Sequence, residues 1–508
     1  MHPQSVVLST VRIESVLIMA DSKPLAAAAH TQEAAASVQA PKKEGTEVHA
    51  EAKSDVVGAS SAGSSLSSSA SSSPPAPSPF ASLYLSRPVD DFHVHLRDGA
   101  EVLESVLRHT LTRPSAGPFA PAMVARALVM PNLNPPVMNA EEAMSYRQRI
   151  LGALASFEKK RQIAWRDHPD AHTTLLPLDF DPLMSLYLTD ATTPEMLTAA
   201  KATGVVYACK LYPKGATTHS NAGVTDIMAL LPVFRSMAEL DLLLLIHGES
   251  TDQAVDIFDR EGAFLPVVGS ILSQVPKLRV VLEHVSTAAG VRFVAEKHRA
   301  GARIAATLTP HHLLLNRNAL FEGGLNPNVF CLPVLKAEAD RLALLDMLFG
   351  IEEGTKPTAA TAAPATAAPV TAGASASSSG AAVAANPLSS CSPFLFAGTD
   401  SAPHARPAKE RCCGCAAGCF TAHASVEFYA EAFEAHARLR GIQPSAWHRR
   451  LERFLTEDGA AFYGLRQNFP REIMLTRQEW TVPEAMEFGE HTIVPVRAGK
   501  KIQWSVRP

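Results

Sequence analysis

The sequence contains no long apolar run and no block of like charge. Its apolar stretches are interrupted by glycine, proline or charged residues, and none reaches the roughly 20 residues that a membrane-spanning helix requires. The formal net charge is -4 and the isoelectric point is near 6.6, with neither sign concentrated in one region. We therefore expect a soluble protein without a nucleic-acid or membrane partner.

Cysteine is scarce as well. Seven cysteines in 508 residues, an odd number, argue against a disulfide framework and favour a reducing compartment, so the cytoplasm is the expected location. The N-terminal apolar stretch carries an arginine and an acid, and it fits neither a secretory signal nor a transit peptide. Met19 is a second candidate for the start of translation.

Two segments have too few large apolar residues to build a core. Residues 1–80 are rich in alanine, serine and proline, and residues 353–392 pass from an Ala/Thr/Pro to a Ser/Gly composition. Such segments bury too little apolar surface to offset the entropy lost on ordering. We predict a disordered tail over 1–80, a folded region over 81–508, and a disordered insertion within it over 353–392.

The folded region alternates short β-rich apolar runs with amphipathic helical patterns, which is typical of repeated βα units around a parallel sheet. The eight runs cover residues 83–95, 127–132, 183–190, 205–212, 242–249, 279–285, 304–310 and 394–400. Helices are expected over 140–154, 224–240, 425–437 and 444–462, with a small β-rich appendage over 490–506. Eight strands and their crossovers predict an α/β fold, a closed (β/α)8 TIM barrel.

Most of these runs end in a polar residue. The residues concerned are His93, His95, Asn132, Lys210, His247, His284 and Asp400. Catalytic groups of barrel enzymes gather at the C-terminal ends of the strands, so these side chains should converge although they are far apart in sequence.

The histidines of this set point to a metal. His93 and His95 are one residue apart and would project to the same face of a strand, a weak signal by itself. His247 and His284 each end a strongly apolar run, where an unpaired imidazole would be costly. Four histidines with Asp400 form a nitrogen-rich set with one carboxylate, which suits zinc.

Lys210 is the unusual member of the set. It follows VVYAC and precedes LYP, which directs a long cationic side chain to the same strand-end region. Lysines more often reach solvent or pair with an acid, and that interpretation stays open from the residues alone.

Eight ordered motifs carry a family resemblance. They are DDFHVHLRDG, VMPNLNPPV, CKLYPKGATTHS, LLIHGE, LEHVS, TPHHLLLNRN, CLPVLK and FAGTDSAPHAR. Together they resemble the monofunctional dihydroorotases of bacterial and fungal type, within the amidohydrolase superfamily, from about residue 83 to the C-terminus apart from the insertion.

The resemblance implies a two-zinc centre. His93, His95, Asp400 and a carboxylated Lys210 (N6-carboxylysine) would hold one Zn²⁺, and carboxylated Lys210, His247 and His284 the other, with a bridging hydroxide. Asp400 would also be the catalytic residue, which accepts the proton of the hydroxide and returns it to the leaving nitrogen.

The resemblance also implies the reaction and the assembly. The reaction would be the reversible cyclisation of N-carbamoyl-L-aspartate to (S)-dihydroorotate plus water in de novo pyrimidine biosynthesis. The partner would be this small molecule, and the assembly a homodimer.

Substrate contacts follow from the same motifs. Arg97, Asn132 and His404 match carboxylate-binding positions of the family, although a surface salt bridge for Arg97 and a turn role for Asn132 are the simpler interpretations of the residues alone. The main chain of Leu332 and of Ala416 or Ala417 would contact the ring edge. Thr217 and Thr218, in GATTHS, would belong to a mobile lid; an ordinary solvated turn is the alternative.

Further cysteines and histidines lie outside this set. Cys412, Cys413, Cys415 and Cys419 lack the spacing of paired C-x-x-C units, so we expect a loop of reduced thiols rather than a further metal site. His311 and His312 are expected either to support the ligands or to face solvent.

Two other functions remain possible from the sequence. A hydantoinase or dihydropyrimidinase would share the barrel, the metals and the carboxylated lysine, but not the carboxylate pocket. A non-catalytic scaffold on a decayed barrel would belong to a different class, and the presence of every expected ligand argues against it.

Overall fold

The computed structural model describes residues 82–172, 174–351, 392–411 and 413–507. The predicted tail over 1–80 and the predicted insertion up to residue 391 lie outside the described residues, as does Cys412. Ser392, the last residue assigned to the insertion, is buried and donates a hydrogen bond to the carbonyl oxygen of Met347 at 2.6 Å.

Eight parallel strands form the centre of the fold. After a short strand β1 (Ser82–Leu85), the barrel strands are β2 (Val89–Val94), β3 (Val124–Val129), β4 (Asp181–Tyr187), β5 (Val206–Leu211), β6 (Leu243–Ile246), β7 (Val280–Leu282), β8 (Ile304–Leu308) and β9 (Leu395–Ala397). They pair in chain order, each parallel to the next. The predicted TIM barrel is confirmed.

The barrel closes beyond the end of β9. The backbone N–H of Asp400 donates to the carbonyl of His93 at 2.8 Å, and the N–H of His95 donates to the carbonyl of Ser401 at 3.1 Å. These bonds bring the first and last strands together, so residues of both contribute to one site.

Helices connect the strands and cover the barrel. They are α1 (Ala100–Leu111), α2 (Ala140–Arg166), α3 (Pro194–Ala202), α4 (Leu231–Glu239), α5 (Arg260–Gln274), α6 (Ala288–Arg299), α7 (Pro310–Leu314), α8 (Glu338–Leu348), α9 (Arg406–Lys409), α10 (Ser425–Arg440), α11 (Pro444–Thr456) and α12 (Asp458–Tyr463). Within the described ranges, no helix is long and apolar enough to cross a membrane.

The first predicted strand was wrong in its extent. Residues 83–95 form two strands, because Pro88 has no N–H to donate and interrupts the ladder. β1 pairs antiparallel with a C-terminal strand, with Leu83 opposite Leu475, and only β2 enters the barrel.

Three helix predictions also differ from the structure. α2 extends to Arg166 because buried Arg161 donates to the carbonyls of Phe119 and Ala120. The region 224–240 begins with a 3-10 turn before α4. The region 444–462 breaks between α11 and α12, and Gly459 then lies so close to Phe92 that a Cβ there would be 2.3 Å from the ring.

The C-terminal appendage begins earlier than expected. Its strands are β10 (Ile473–Thr476), β11 (Trp480–Thr481), β12 (Met486–Phe488), β13 (His491–Ile493), β14 (Lys501–Ile502) and β15 (Ser505–Arg507). β1, β10 and β15 form one antiparallel sheet. Fully buried Trp504 anchors this region by donating its indole N–H to Glu434 on α10 at 3.0 Å.

Candidate functional site

The predicted ligands converge at the C-terminal end of the barrel. His93 lies in β2, His95 directly after it and Lys210 in β5, while the other three follow strand ends. Those three are His247 after β6, His284 after β7 and Asp400 after β9. All six side chains are buried.

Asp400 joins the two histidines of the first strand. Its Oδ1 lies 3.2 Å from Nε2 of His93 and 3.0 Å from Nε2 of His95. The three donor atoms are all within 4.8 Å of one another. Burial alone would raise the pKa of Asp400, but the charges and hydrogen bonds of His93 and His95 outweigh it and hold that pKa well below its usual value.

His247 and His284 form the second half of the site. Nδ1 of His247 lies 3.1 Å from Nε2 of His284, and the ring of His284 is 5.3 Å from that of His93 between centroids. Nδ1 of His284 is buried and has no hydrogen-bond partner within the described ranges. Burial keeps the pKa of His284 well below its usual value, so the ring is neutral, the form that binds a metal.

Lys210 lies in the same buried space. Its side chain is completely inaccessible to solvent, and its Nζ has no hydrogen-bond partner among the described residues. The interpretation in which Lys210 reaches solvent is therefore wrong. Burial lowers the pKa of Lys210 to about 8, although Glu283 and Asp400 act in the opposite direction.

The donor set fits a metal centre. Four imidazoles, one carboxylate and one amine face each other, and two of their polar atoms, Nζ of Lys210 and Nδ1 of His284, are buried without partners. Unpartnered buried polar atoms are costly, and bound ions commonly account for them. Nitrogen and carboxylate donors in this number suit zinc.

Two glutamates that the sequence reasoning missed hold the histidines in orientation. Oε2 of Glu283 lies 2.8 Å from Nδ1 of His93, and Oε2 of Glu249 lies 2.9 Å from Nε2 of His247. These bonds leave Nε2 of His93 and Nδ1 of His247 to face the site. Glu249 lies in LLIHGE and Glu283 in LEHVS, each within two residues of a histidine. An acid close to a histidine at a strand end was therefore the sequence signal that could have identified them.

A second missed group supports the loop that carries Asp400. The carboxylate of Asp91 accepts from the N–H and the hydroxyl of Thr399 at 2.8 and 2.6 Å, and from the N–H of His93 at 3.2 Å. Asp400 itself has φ of 44°, a region that non-glycine residues seldom adopt. The Asp91 bonds hold this strained conformation in place.

A small cavity opens over these groups. Its lining includes five of the six predicted ligands, while Lys210 is not part of the surface. The remaining lining residues are Arg97, Asn132, Tyr212, Thr217, Thr218, Leu332, Ala402, Ala417 and Gly418.

Arg97 lines the cavity, and His404 contacts Arg97. Nε of Arg97 donates to the carbonyl of Pro403 at 2.8 Å, and its Nη2 lies 2.9 Å from Nε2 of His404. Burial, followed by the charge of Arg97, lowers the pKa of His404 to about 2, so this ring is neutral. The simpler interpretation of Arg97 as a surface salt bridge is wrong, since neither bond is to an acid.

The GATTHS loop covers the cavity. Oγ1 of Thr218 accepts from the N–H of Ala417 at 3.2 Å, and the carbonyl of Thr218 lies 3.4 Å from Nδ2 of Asn132. Thr217 lines the cavity beside it. The solvated-turn interpretation is wrong for Thr217 and Thr218, which contact the interior rather than only water.

Of the two candidate alanines, only Ala417 lines the cavity. The N–H of Ala416 donates to the carbonyl of Ala408 at 3.0 Å, and its carbonyl accepts from Nζ of Lys409 at 2.8 Å. Lys409, which the sequence reasoning did not single out, also donates to the carbonyl of Gly418 at 2.7 Å.

The histidine pair after β8 does not face solvent. His311 and His312 are both buried, so that interpretation was wrong. His312 bonds to the hydroxyl of Thr309 at 2.8 Å and to the carbonyl of Pro333 at 3.0 Å, next to the lining residue Leu332.

Known proteins resemble the whole described fold. No family model matches the chain. It is 44% identical over 425 residues to a protein from Nitrosomonas europaea named dihydroorotase, which covers 84% of this chain and 98% of that protein. A protein of the same name from Stutzerimonas stutzeri has the same identity and the same coverage.

Solved structures that match this chain include a dihydroorotase and a hydantoinase. The crystal structure of dihydroorotase from Saccharomyces cerevisiae in complex with 5-fluoroorotic acid matches with a TM-score of 0.61 and 26% identity, over 84% of this chain and 98% of that one. L-hydantoinase from Arthrobacter aurescens matches with a TM-score of 0.55 at 12% identity, over 82% of each chain, which shows a shared fold alone.

Proposed function

The chain belongs to the dihydroorotase family, and we propose that it performs the reversible cyclisation of N-carbamoyl-L-aspartate to (S)-dihydroorotate plus water, a step of pyrimidine biosynthesis. The observation that carries this proposal is one cavity lined by two chemically different groups of residues. His93, His95 and Asp400 contact one another in its lining, and Arg97, which His404 contacts, lines it as well. The first group suits hydrolysis of an amide, and the second suits binding of a carboxylate.

The metal centre of this proposal holds two zinc ions. His93, His95 and Asp400 would bind one ion, His247 and His284 the other, and carboxylated Lys210 both. When bound, the pair lowers the pKa of water and polarises the amide carbonyl of the substrate. Support comes from the buried, partnerless atoms of Lys210 and His284.

Lys210 is the residue we propose to be modified. Its neutral amine would attack carbon dioxide, form a C–N bond and lose a proton, which gives a carbamate. Only the unprotonated amine can do this, and a pKa near 8 makes that form far more available than it is for an exposed lysine. The carbamate would also replace an uncompensated buried ammonium with a metal ligand.

Asp400 is the proposed general base and acid. Its low pKa keeps it ionised, so its carboxylate can take a proton from the attacking water during ring opening. The same proton then goes to the leaving amide nitrogen. In the biosynthetic direction the carboxyl group gives its proton to the departing oxygen, and water is released.

The substrate carboxylate would bind to Arg97, Asn132 and His404. Arg97 offers a planar fork of donors, which suits a carboxylate, and His404 and Pro403 hold its orientation. The ring edge would contact the main chain of Leu332 and Ala417. Ala416 is a weaker candidate than Ala417, because only Ala417 lines the cavity.

The loop of Thr217 and Thr218 is the proposed lid. Thr218 reaches across to Ala417, so the loop closes the cavity from above and would exclude bulk water from the bound substrate. The bound substrate must either displace the hydrogen bond between Ala417 and Thr218 or bind beside it.

We also propose a homodimer in the cytoplasm, without nucleic-acid or membrane partners. A hydantoinase-like activity is the nearest alternative, since proteins of that kind share the fold. It gives no reason for Arg97, held by His404, to line the cavity, and a scaffold gives no reason for the set of buried donors.

A turnover assay tests the proposal. We expect protein purified with zinc and bicarbonate to contain two zinc ions per chain and to interconvert dihydroorotate and N-carbamoyl-L-aspartate. Asp400→Asn should lower the rate by roughly 10²- to 10⁴-fold. Asp98→Asn, at an exposed residue paired with Arg149, is the matched control. Metal-loaded protein without turnover would refute the activity, and an active Asp400→Asn variant would refute the role of Asp400.

A further inference from the structure

A second cluster of metal-binding side chains lies outside the site described above. His311 is in α7, Cys331 directly precedes Leu332, and Cys419 follows Gly418. One donor atom from each lies within 4.8 Å of the other two. All three side chains are at most 1% exposed.

His311 is the member whose environment is incomplete. Neither of its ring nitrogens has a hydrogen-bond partner in the part of the chain that the structure describes, although the ring is fully buried. Its neighbour His312 uses both nitrogens, one toward Thr309 and one toward Pro333. A buried imidazole without partners is costly, so a ligand at His311 is the simplest way to satisfy it.

The two thiols have a positive charge beside them. Nζ of Lys409 donates to the carbonyls of Phe330 and Gly418, the residues immediately before Cys331 and Cys419, at 2.9 and 2.7 Å. A nearby ammonium stabilises thiolates, the form in which cysteine binds metals. Without an ion, the hydrogen bond with Cys419, together with burial, raises the pKa of Cys331, so this thiol stays protonated. Binding an ion would therefore release that proton.

The spacing suits a small divalent ion. Zinc binds thiolate sulfur at about 2.3 Å, so two sulfurs in tetrahedral geometry are about 3.8 Å apart. Donor atoms that lie within 4.8 Å of one another need side-chain shifts of no more than about 1 Å to reach that geometry. One imidazole and two thiolates are a set that zinc and similar thiophilic ions prefer.

We propose that His311, Cys331 and Cys419 form a third metal site, for a thiophilic divalent ion such as Zn²⁺. The ligand set differs from the cysteine-rich run, since Cys413 is exposed and, of the described cysteines in that run, only Cys419 contributes. The ion would join two chain segments that line the cavity, one through Leu332 and the other through Ala417. It would thus stabilise the substrate-contacting main chain. This site does not depend on the proposed function.

Cobalt(II) is the probe that distinguishes this site from the histidine centre. We expect the full chain, loaded anaerobically under reducing conditions, to bind three cobalt ions and to show near-ultraviolet thiolate-to-cobalt charge-transfer absorption. The His93 to Asp400 donor set contains no sulfur and cannot produce that absorption. Cys331→Ser and His311→Gln should each bind two cobalt ions and lose the absorption. Cys413→Ser is the matched thiol control and should behave as wild type.

Three results would overturn the site. They are two cobalt ions without the charge-transfer absorption, absorption that persists in Cys331→Ser, or absorption that disappears in Cys413→Ser. If the variants do not fold, X-ray absorption of the zinc-loaded wild type decides alone, since a sulfur shell near about 2.3 Å supports the site and its absence refutes it. Loss of turnover with the thiolate absorption intact would count against the proposed function only.

Discussion

Nδ1 of His93 lies 2.8 Å from Oε2 of Glu283, at the base of the candidate metal centre. The same glutamate oxygen accepts from the hydroxyl of Thr307 at 2.6 Å, and that hydroxyl accepts from the N–H of His284 at 2.7 Å. Glu283 therefore orients one predicted ligand directly and another through Thr307. Supporting carboxylates of this kind fix the tautomer of a metal-bound histidine and raise its basicity.

Glu283→Gln should weaken zinc binding by about 10- to 100-fold. The amide keeps the shape of the side chain but loses the charge that favours a proton on Nδ1 of His93. Competition with a chelator measures the affinity. Glu296→Gln, at an exposed residue on α6, is the control, and an unchanged affinity in Glu283→Gln would contradict the role.

Lys409→Met should raise KM more than it lowers kcat. Nζ of Lys409 joins the carbonyls of Phe330, Ala416 and Gly418, so its loss leaves buried acceptors unpaired and loosens the main chain near Leu332 and Ala417. The free energy of unfolding should fall by about 2 kcal/mol. Steady-state kinetics and urea unfolding measure both.

The comparison for Lys409→Met is Lys277→Met, at an exposed residue. A KM equal to that of the wild type, together with a loss of stability, would show that Lys409 supports the fold but not the substrate site.

Thr218→Val should raise KM about tenfold, by loss of one or two hydrogen bonds that hold the lid. Valine matches threonine in shape but cannot accept from the N–H of Ala417. Zinc content should not change. Thr225→Val, which removes a bond to exposed Asp190 instead, is the control, and equal KM values in the two variants would argue against a lid.

Much of the barrel was predictable because its strands are buried on both faces. Fully buried runs such as β8, with the sequence IAATL, read as continuous apolar stretches and identify parallel strands directly. The interruption between β1 and β2 could have been predicted from Pro88, which has no N–H to donate, but the pairing of β1 with distant β10 could not. The break between α11 and α12 likewise depends on contact with Phe92, which local patterns do not encode.

The metal set was easier to find than its supports. Histidines that end apolar strands are conspicuous, because burial of an unpaired imidazole is unfavourable. Nothing in the sequence distinguishes Asp91 or Lys409, or Cys331 and Cys419, which lie beside His311. Their roles arise only when segments far apart in the sequence meet. For the same reason, the sequence could not decide between Ala416 and Ala417, which differ only in the direction their backbone faces.

Acidification should destabilise the protein partly through His109. Burial, followed by the charge of Arg108, lowers the pKa of His109 to about 4, against 6.5 for the exposed group. The unfolded chain therefore binds a proton first, so the stability is present above pH 6.5 and is lost as the pH falls toward 4. A shift of this size corresponds to about 3 kcal/mol.

His109→Gln tests this assignment. Its free energy of unfolding should depend less steeply on pH than that of the wild type between pH 6.5 and 4, by about 3 kcal/mol over the window. Denaturant unfolding at several pH values measures the difference, and contributions shared by both proteins cancel. Parallel curves would show that His109 does not contribute.

The central claim is that the metal-binding residues of the cavity catalyse hydrolysis of a cyclic amide, while Arg97 binds the carboxylate of the same substrate. It is tested most directly by comparing dihydroorotate with 5,6-dihydrouracil, the same ring without the carboxylate, on zinc-loaded protein. We predict a kcat/KM at least about 100-fold higher for dihydroorotate, and loss of that preference in Arg97→Met but not in Arg149→Met, at a surface residue paired with Asp98. Equal turnover of the two rings by the wild type would contradict the account and favour a hydantoinase-like enzyme.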